Sequence, residues 1–278
     1  MLQHLAAICV LTLFLSTNAF TQDAPVTDCD RYAASDQDPQ HIGVGVPFDK
    51  MDPALAIPAC EAAVRQYPNS SRLTYQLGRA YYKANNFDAA LAQLRKPADQ
   101  GYAVAQTTLG VMYENGQGVP QDYAQAVAWY RKAADQGLAA AQQDLAVMYE
   151  NGHGVPQDYT QAALWYRKAA DQGLAAAQAN LARMYKNGWG VPQDYAKAIA
   201  WYRKAADQGN LDAQNNLGGM FENGWGIRRD YSQAIAWYRK AADQGNAGAQ
   251  NNLARMYENG WGGSTRLCTS HCWVSKSC

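Results

Sequence analysis

A tandem repeat of 36 residues constrains this chain more than any other feature. Asn-Gly and Trp-Tyr recur in phase with the motif Ala-Asp-Gln-Gly, which occurs at 98–101, 134–137, 170–173, 206–209 and 242–245. Repeats of this length fold as small units that stack along one axis, because a single unit cannot bury its own hydrophobic face. Four full units and one half unit, over about 102–262, therefore predict a solenoid.

Each unit is predicted to contain two helices. In the first unit, Ala105, Leu109 and Met112 fall on one face of a helix over about 103–114. Asn115-Gly116 can adopt the left-handed conformation that ends a helix. The loop that follows leads to a second helix, so each unit is a helix-turn-helix.

The second helix begins at Asp122, whose carboxylate can cap the free backbone N–H groups, and ends at Gly137. Its Trp-Tyr pair is predicted to pack in the core. Arg131 and Asp135 are four residues apart, as are their counterparts in later units, and this spacing favours surface ion pairs. A glutamine that recurs unchanged in the first helices indicates a structural hydrogen bond; the five are Gln106, Gln142, Gln178, Gln214 and Gln250.

The unit L-x-x-M-Y-E-N-G-x-G-V-P-Q-D-Y-x-x-A-x-x-W-Y-R-K-A-A-D-Q-G resembles a Sel1-like repeat, a relative of the tetratricopeptide repeat, over about 102–262. Residues 52–101 resemble tetratricopeptide helices, with Pro58 expected to delay or kink the first of them. The resemblance implies an all-α fold, a right-handed α-solenoid of tandem helix-turn-helix repeats with a concave groove lined by the first helices. It also implies binding of other proteins, often in bacterial envelopes.

The N-terminus is predicted to be an export signal. Residues 5–15 are an apolar run of eleven, too short to span a bilayer and typical of the centre of a signal peptide. Thr17-Asn18-Ala19 fits the small-residue cleavage pattern, so we predict that residues 1–19 are removed after Ala19 and that the protein is periplasmic or secreted. Residues 20–51 show no helical period and predict an irregular extension lying on the first helices.

Outside the predicted signal peptide, the cysteines lie in the N-terminal region and in the C-terminal tail. In an oxidising compartment we expect a disulfide between Cys29 and Cys60, with two buried free thiols as the alternative. Cys268, His271, Cys272 and Cys278 lie in an irregular tail over 263–278. Their spacing fits no tight zinc pair, so we predict no metal and favour a frameshifted or degenerated terminus. The last first helix, with Leu253, Met256 and Tyr257, then lacks a partner and is expected to fray or self-associate.

Composition and motifs exclude several functions. With 24 basic and 24 acidic residues, the chain offers no reason to expect nucleic acid as a partner. After the N-terminus no apolar stretch is long enough for a membrane span. The sequence contains none of the common hydrolase, zinc-protease or phosphate-loop motifs, and His153 occupies a loop position that varies between units. We therefore predict a protein that is not an enzyme and has no cofactor; β-lactam binding or hydrolysis, linked to Sel1-like proteins with cysteines in each repeat, is a minor alternative.

Positions that differ between units indicate where a partner binds, because packing does not fix them. Asn180 and Arg183 share one face of a first helix, as do Asn252 and Arg255, and Asn216 lies at the same repeat position as the other asparagines. Asparagine can pair with an extended backbone and arginine with a carboxylate. We therefore expect these residues to bind an extended or acidic segment of a partner protein, which the resemblance implies to be an envelope protein; the alternative is a solvated polar face.

The loops suggest a second hypothesis. Trp189, Trp225 and Trp261 follow Asn-Gly in three successive units. A row of exposed rings can stack on sugars, which would make the protein a binder of peptidoglycan or exopolysaccharide. The alternative is that each ring covers a neighbouring loop. A purely structural role in an envelope assembly is a third hypothesis.

Overall fold

The structure is a computed structural model that describes residues 24–39 and 45–261. This part of the chain is all helical, with thirteen α-helices, one 3-10 turn at Phe48–Lys50 and no strand. Consecutive helices pack against each other along the whole series, as the predicted solenoid of helix pairs requires. The predicted signal peptide and the cysteine tail lie outside the described residues.

The helices fall into an N-terminal group and the repeats. The N-terminal group is α1 (Asp28–Ala33), α2 (Pro53–Gln66), α3 (Ser71–Lys83) and α4 (Phe87–Asp99). The first helices of the repeats are α5 (Ala103–Asn115), α7 (Ala139–Asn151), α9 (Ala175–Asn187), α11 (Leu211–Asn223) and α13 (Ala247–Glu258). The second helices are α6 (Tyr123–Asp135), α8 (Tyr159–Asp171), α10 (Tyr195–Asp207) and α12 (Tyr231–Ala242). No helix among them is long and apolar enough to cross a membrane.

The predicted helix ends are confirmed. The Asp122 carboxylate accepts a hydrogen bond from the Gln125 N–H at 3.0 Å and so caps α6. Gly116 ends α5 with φ +68°, in the left-handed region that glycine adopts without strain. The same two devices recur in the next three units, which explains why the helix pairs are so alike in length.

The tyrosine of every Trp-Tyr pair belongs to the core, and so does one of the tryptophans. The tyrosines Tyr130, Tyr166, Tyr202 and Tyr238 are buried, with at most 2% of each exposed, and Trp165 is buried as well. The other three tryptophans pack at the edge of the core; a lysine three residues later covers each ring, and the Lys132 ammonium lies 3.8 Å from the centre of the Trp129 ring. The prediction of core packing is therefore correct for the tyrosines and for Trp165, and too strong for the other tryptophans.

The recurring glutamines make the predicted structural hydrogen bond. In every unit the side-chain amide donates to the backbone carbonyl eight residues earlier. The Gln178 amide, for example, donates to the Ala170 carbonyl at 3.2 Å and accepts from Gln208 at 2.8 Å. These bonds tie the first helix of each unit to the end of the preceding second helix.

The expected Arg–Asp surface pairs are wrong. Within the described residues, Arg131, Arg167 and Arg239 do not pair with the aspartate four residues later; each donates to a tyrosine hydroxyl in the next unit. The tyrosines are Tyr149, Tyr185 and Tyr257. The tyrosine, 18 residues later in the chain, is within reach because the next first helix packs alongside the helix that carries the arginine. This contact also links successive units.

The N-terminal extension lies on α3, as predicted, but it is not wholly irregular. Residues 28–33 form α1, where the Thr27 N–H donates to the Asp30 carboxylate at 2.8 Å. Asp30 forms a buried ion pair with Arg72 of α3. The predicted disulfide joins Cys29 to Cys60 of α2. Local capping and these long-range bonds stabilise a helix too short to show a period in the sequence.

The expected late start of α2 at Pro58 is wrong, whereas a kink there stays a prediction. Helix α2 begins at Pro53 and continues through Pro58 to Gln66. Its start is fixed earlier than expected because the Asp52 carboxylate accepts a hydrogen bond from the Ala54 N–H at 2.9 Å, and Pro53 fits the first turn of a helix. Pro58 therefore costs α2 one internal hydrogen bond without ending it.

Candidate protein-interaction surface

One side of the first helices carries side chains that change from unit to unit. Three positions on each helix, spaced by three residues, lie on this side; we call it the first-helix face. The residues just before the core leucine are Thr108, Asp144, Asn180, Asn216 and Asn252. Three residues further on lie Val111, Val147, Arg183, Gly219 and Arg255, and after three more Glu114, Glu150, Lys186, Glu222 and Glu258.

At two of the boundaries between successive first helices, a fork of two bonds joins the helices. The Arg183 guanidinium lies 2.6 and 2.9 Å from the two oxygens of Glu150, one unit earlier. The Arg255 guanidinium likewise lies 2.7 and 2.9 Å from the oxygens of Glu222. Such bidentate pairs are the strongest arrangement of these two groups. The two arginines predicted to bind a partner's carboxylate therefore already bind one of the protein's own.

The predicted asparagines support these forks. The Asn180 side-chain oxygen accepts from Arg183 at 3.4 Å, and that of Asn252 accepts from Arg255 at 3.3 Å. The structure therefore brings Asn180 together with Arg183 and Asn252 together with Arg255, as the sequence spacing implies, whereas Asn216 has no arginine beside it among the described residues. Whether they bind a partner stays a prediction.

A buried tyrosine from each second helix completes the arrangement. The Tyr166 hydroxyl donates to Glu150 at 2.8 Å, and the Tyr238 hydroxyl donates to Glu222 at 2.7 Å. Burial first, and then the bond to the carboxylate, raise the pKa of Tyr238. The hydrogen bond to Glu222 raises the pKa of Arg255 as well. Each fork is thus a charged network anchored in the core.

The boundary between α9 and α11 has no fork and carries a lysine in place of the glutamate. Lys186 occupies the position that glutamate holds elsewhere, and its ammonium lies 3.5 Å from the Asn216 side-chain oxygen. Burial and then the nearby Arg183 lower the pKa of Lys186. Gly219 supplies no side chain here, and the buried Tyr202 hydroxyl has no hydrogen-bond partner among the described residues. This part of the face is basic.

The boundary between α5 and α7 is acidic. The Tyr130 hydroxyl donates to Glu114 at 2.6 Å, but Val147 stands where Arg183 and Arg255 stand later. Asp144 replaces asparagine, and neither it nor Glu114 has an ion pair with any residue in the described ranges. Burial, and then the charge of Glu114, raise the pKa of Asp144 to about 7.

Sequence reasoning misses the carboxylates of this face, Glu114, Glu150 and Glu222. They look constant in the unit pattern, and a constant position indicates scaffold. A signal is nevertheless present, because an arginine follows two of these glutamates at an offset of 33 residues and does not follow Lys186. The offset connects neighbouring units only once the stacking of first helices is known.

The predicted loop tryptophans are partly covered, and two of them lie beside the first-helix face. The Arg183 guanidinium lies 5.3 Å from the centre of the Trp189 ring, and the Lys186 ammonium lies 5.2 Å from the centre of the Trp225 ring. Trp189 stacks on Tyr159 and Trp225 on Tyr195, at ring-centre distances of 5.6 and 6.1 Å. Trp261 stacks on Tyr231 at 4.7 Å. One face of each indole is thus covered by the preceding unit, while Trp225 remains 38% exposed.

The remaining titratable groups do not gather into a metal site in the part of the chain that the structure describes. No group of three His, Cys, Asp or Glu side chains could hold a metal ion there. His153 stacks on the Tyr123 ring at 4.7 Å, in the place that tryptophan takes in later units. The four tail residues considered for zinc lie outside the described residues.

Comparison with known proteins agrees with the repeat pattern. The Sel1 repeat matches residues 103–138, 139–174, 175–210, 211–246 and 247–266, which is more than half of the chain. The tetratricopeptide repeat matches residues 48–103. Proteins with these repeats generally mediate protein–protein interaction, and their fold is typically a non-catalytic scaffold.

Solved structures with the same fold come from bacteria. A protective antigen present in uropathogenic Escherichia coli strains, displaying an SLR fold, is 41% identical with a TM-score of 0.69, and the match covers 73% of this chain and 44% of that one. A Sel1 repeat protein from Oxalobacter formigenes is 35% identical with a TM-score of 0.65, covering 67% of this chain and 74% of that one. These matches confirm the right-handed α-solenoid.

A shorter match links the chain to a mouse protein. DAP3-binding cell death enhancer 1 is 34% identical over 82 residues, which is 28% of this chain and 16% of the mouse protein. The chain therefore spans less than half the length of both the antigen and the mouse protein.

Proposed function

Because the chain belongs to the Sel1 repeat family, we propose that it is a non-catalytic scaffold or regulator of the bacterial cell envelope that binds an extended segment of a partner protein. The partner would lie on the first-helix face, which the family resemblance implies to be concave. The observation that carries this proposal is the contrast between a constant core and a face that changes its charge from one boundary to the next.

The charge sequence of the face supports recognition of one particular partner. From the N-terminal end, the boundaries are acidic at Glu114 and Asp144, neutral at the first fork, basic at Lys186 and neutral at the second fork. A fixed order of charges selects a segment with the complementary order and disfavours others. A solenoid that needed only to hold itself together would gain nothing from this variation.

Several observations support the envelope location. The predicted signal segment over 1–19, the disulfide between Cys29 and Cys60 and the bacterial origin of the similar structures are each compatible with export. In this proposal the described residues 24–39 and 45–51, together with the helices over 52–101, cap the N-terminal end of the repeats. The partner is another envelope protein.

Affinity capture with purified protein tests the proposal. The double variant Asn216→Ala, Arg183→Ala should lose the envelope proteins that the wild type captures, identified by mass spectrometry. The matched control is Arg203→Ala, Lys204→Ala on the exposed side of α10, which should capture the same proteins as the wild type. The double variant should melt at a lower temperature, since it loses the fork with Glu150, and circular dichroism at the capture temperature establishes that it is still folded. Equal capture by all three proteins would contradict binding on the first-helix face.

Binding of polysaccharide is the second candidate, on the observation that Trp225 keeps 38% of its surface exposed. Its support is narrower, because a tyrosine stacks on each indole and a cation lies near two of them. Titration of the intrinsic fluorescence with peptidoglycan or exopolysaccharide fragments separates the two proposals. Only sugar stacking predicts a fluorescence change that Trp225→Leu removes and that Arg203→Ala, Lys204→Ala, on the exposed side of α10, leaves intact.

A further inference from the structure

The four boundaries of the first-helix face allow a comparison within one molecule. At each boundary the same three positions come together. Two of them, three residues apart, lie on one first helix, and the third is the last of the three face positions on the preceding first helix. In two boundaries, glutamate meets arginine in a fork of two bonds. The boundary between α5 and α7 keeps the glutamate, Glu114, but has Val147 in place of the arginine.

Glu114 is held as its two counterparts are. Tyr130 donates to Glu114 just as Tyr166 donates to Glu150 and Tyr238 to Glu222, at 2.6, 2.8 and 2.7 Å respectively. A hydroxyl thus positions the carboxylate in all three cases. The surroundings of Glu114 therefore differ from those of its counterparts in one main respect, which is that no guanidinium is present.

Asp144 increases the negative charge at this boundary. It occupies the position from which Asn180 and Asn252 support the forks, and its side chain is half-buried. The ionisable groups whose charges act on it are Glu114 of α5, Tyr130 of α6 and Tyr166 of α8. No hydrogen bond or ion pair from within residues 24–39 and 45–261 satisfies the Asp144 carboxylate, and its oxygens are not among the buried atoms without a partner, so they are accessible to a donor from outside the chain.

We propose that Glu114 and Asp144 form a docking site for a basic side chain, an arginine, of the partner segment. The partner supplies there the guanidinium that Arg183 and Arg255 supply at the later boundaries. The proposal rests on the proposed function, since it names the side chain recognised at one point of the first-helix face. It also fixes a direction, because the partner's arginine must lie towards the N-terminal end of the face and its acidic groups towards Lys186.

The chemistry of the site matches this occupant better than other cations. A guanidinium can donate to both oxygens of one carboxylate and still offer N–H groups to a second. Lysine has three N–H donors on one nitrogen, but they lack the planar fork that matches both oxygens of a carboxylate. The Val147 side chain has no hydrogen-bond donor, so it does not compete with an incoming arginine.

Filling the site from within the chain gives the first test. Val147→Arg should form the missing fork with Glu114, whereas Val147→Gln introduces a shorter polar side chain without the charge. We expect a higher urea midpoint for Val147→Arg than for Val147→Gln, and a lowering of the Asp144 pKa by at least about one unit, measured by carboxyl carbon NMR. The matched control is Gly219→Arg against Gly219→Gln, where the arginine meets Lys186 and should lower the midpoint.

A peptide probe gives the second test. The probe is acetyl-Gly-Ser-Arg-Ser-Gly-amide, and its control replaces arginine by citrulline, which has nearly the same shape and no charge. In methyl NMR titrations of the full chain, the Val147 signals should shift saturably in the millimolar range with the arginine peptide only. Val147→Arg should abolish binding of the peptide, followed through the methyl signals of neighbouring residues, since the site is then occupied.

The outcomes separate this inference from the proposed function. Equal shifts with both peptides, no shift at all, or equal urea midpoints for Val147→Arg and Val147→Gln would overturn the arginine site. Capture of envelope proteins that depends on Asn216 and Arg183 would still stand in that case. Conversely, a saturable shift at Val147 with no captured protein would keep the arginine site and remove the wider proposal.

Discussion

Replacement of Asp144 by asparagine should stabilise the protein, and more so at high pH. The folded state raises the pKa of this carboxyl from 3.8 to about 7. Each pKa unit corresponds to about 1.4 kcal/mol, so the ionised aspartate costs the folded state at most about 4 kcal/mol. Partial exposure of the residue and rearrangement of neighbouring groups reduce this, and we expect about 2 kcal/mol above neutral pH.

The sign of the pH dependence follows from proton binding. Between about pH 4 and pH 7 the folded state keeps the proton on Asp144 while the unfolded state has released it, so stability falls as pH rises through this window. Below the window both states are protonated and the cost disappears. The amide of an asparagine at this position cannot ionise, so Asp144→Asn should show its largest gain near pH 8 and almost none near pH 4.

Urea unfolding followed by circular dichroism, for both proteins across this range, measures the difference. Asn180→Asp is the matched control: it places the same carboxylate one unit later, beside Arg183, which donates to the residue at that position. Its pH dependence should be small because a cation is already present. A gain for Asp144→Asn that does not change with pH, or no gain at pH 8, would refute the reasoning.

Three further predictions concern the scaffold and are read from thermal melting or hydrogen exchange. Gly190→Ala should destabilise the protein more than Gly173→Ala, because an added Cβ at Gly190 would lie 2.0 Å from a backbone carbonyl oxygen while Gly173 faces open space; equal losses would contradict the close packing of that loop. Gln178→Leu should cost about 1–3 kcal/mol by leaving a buried carbonyl without its donor; a neutral result would mean that water replaces the amide. Cys29→Ser with Cys60→Ser, which opens a link over 31 residues, should cost about 2–4 kcal/mol and speed exchange in α1 but not in α9; uniform acceleration would argue against separate N-terminal stability.

The elements that the sequence predicts well are those fixed by local chemistry. Asp122 and Gly116 act within their own helix ends, and the core position of Tyr130 follows from helical periodicity. Because the units repeat, each local prediction rests on several copies of the same pattern. This explains why the helix pairs, their caps and the glutamine bonds are all predicted correctly.

The elements that the sequence does not reveal depend on how one unit lies against the next. Arg131 is expected to pair with Asp135 four residues away, but it bonds to Tyr149 in the following unit. Arg183 looks free for a partner in the sequence, yet it forks onto Glu150. Helix α1, with six residues, is too short to show a helical period in the sequence. A buried ion pair with α3 and a disulfide stabilise it instead. Each of these contacts joins residues that are distant in sequence.

The same offset between units explains how a repetitive chain can acquire a specific site. A glutamate on one first helix faces the position that Arg183 or its counterpart occupies on the next, so a single substitution decides whether that carboxylate is satisfied within the chain. Arginine closes the boundary and stabilises the stack; Val147 leaves Glu114 available; lysine at position 186 reverses the charge. In the proposed function, specificity therefore changes without any change in the core, since the residues proposed to select a partner and those that join the units occupy the same positions.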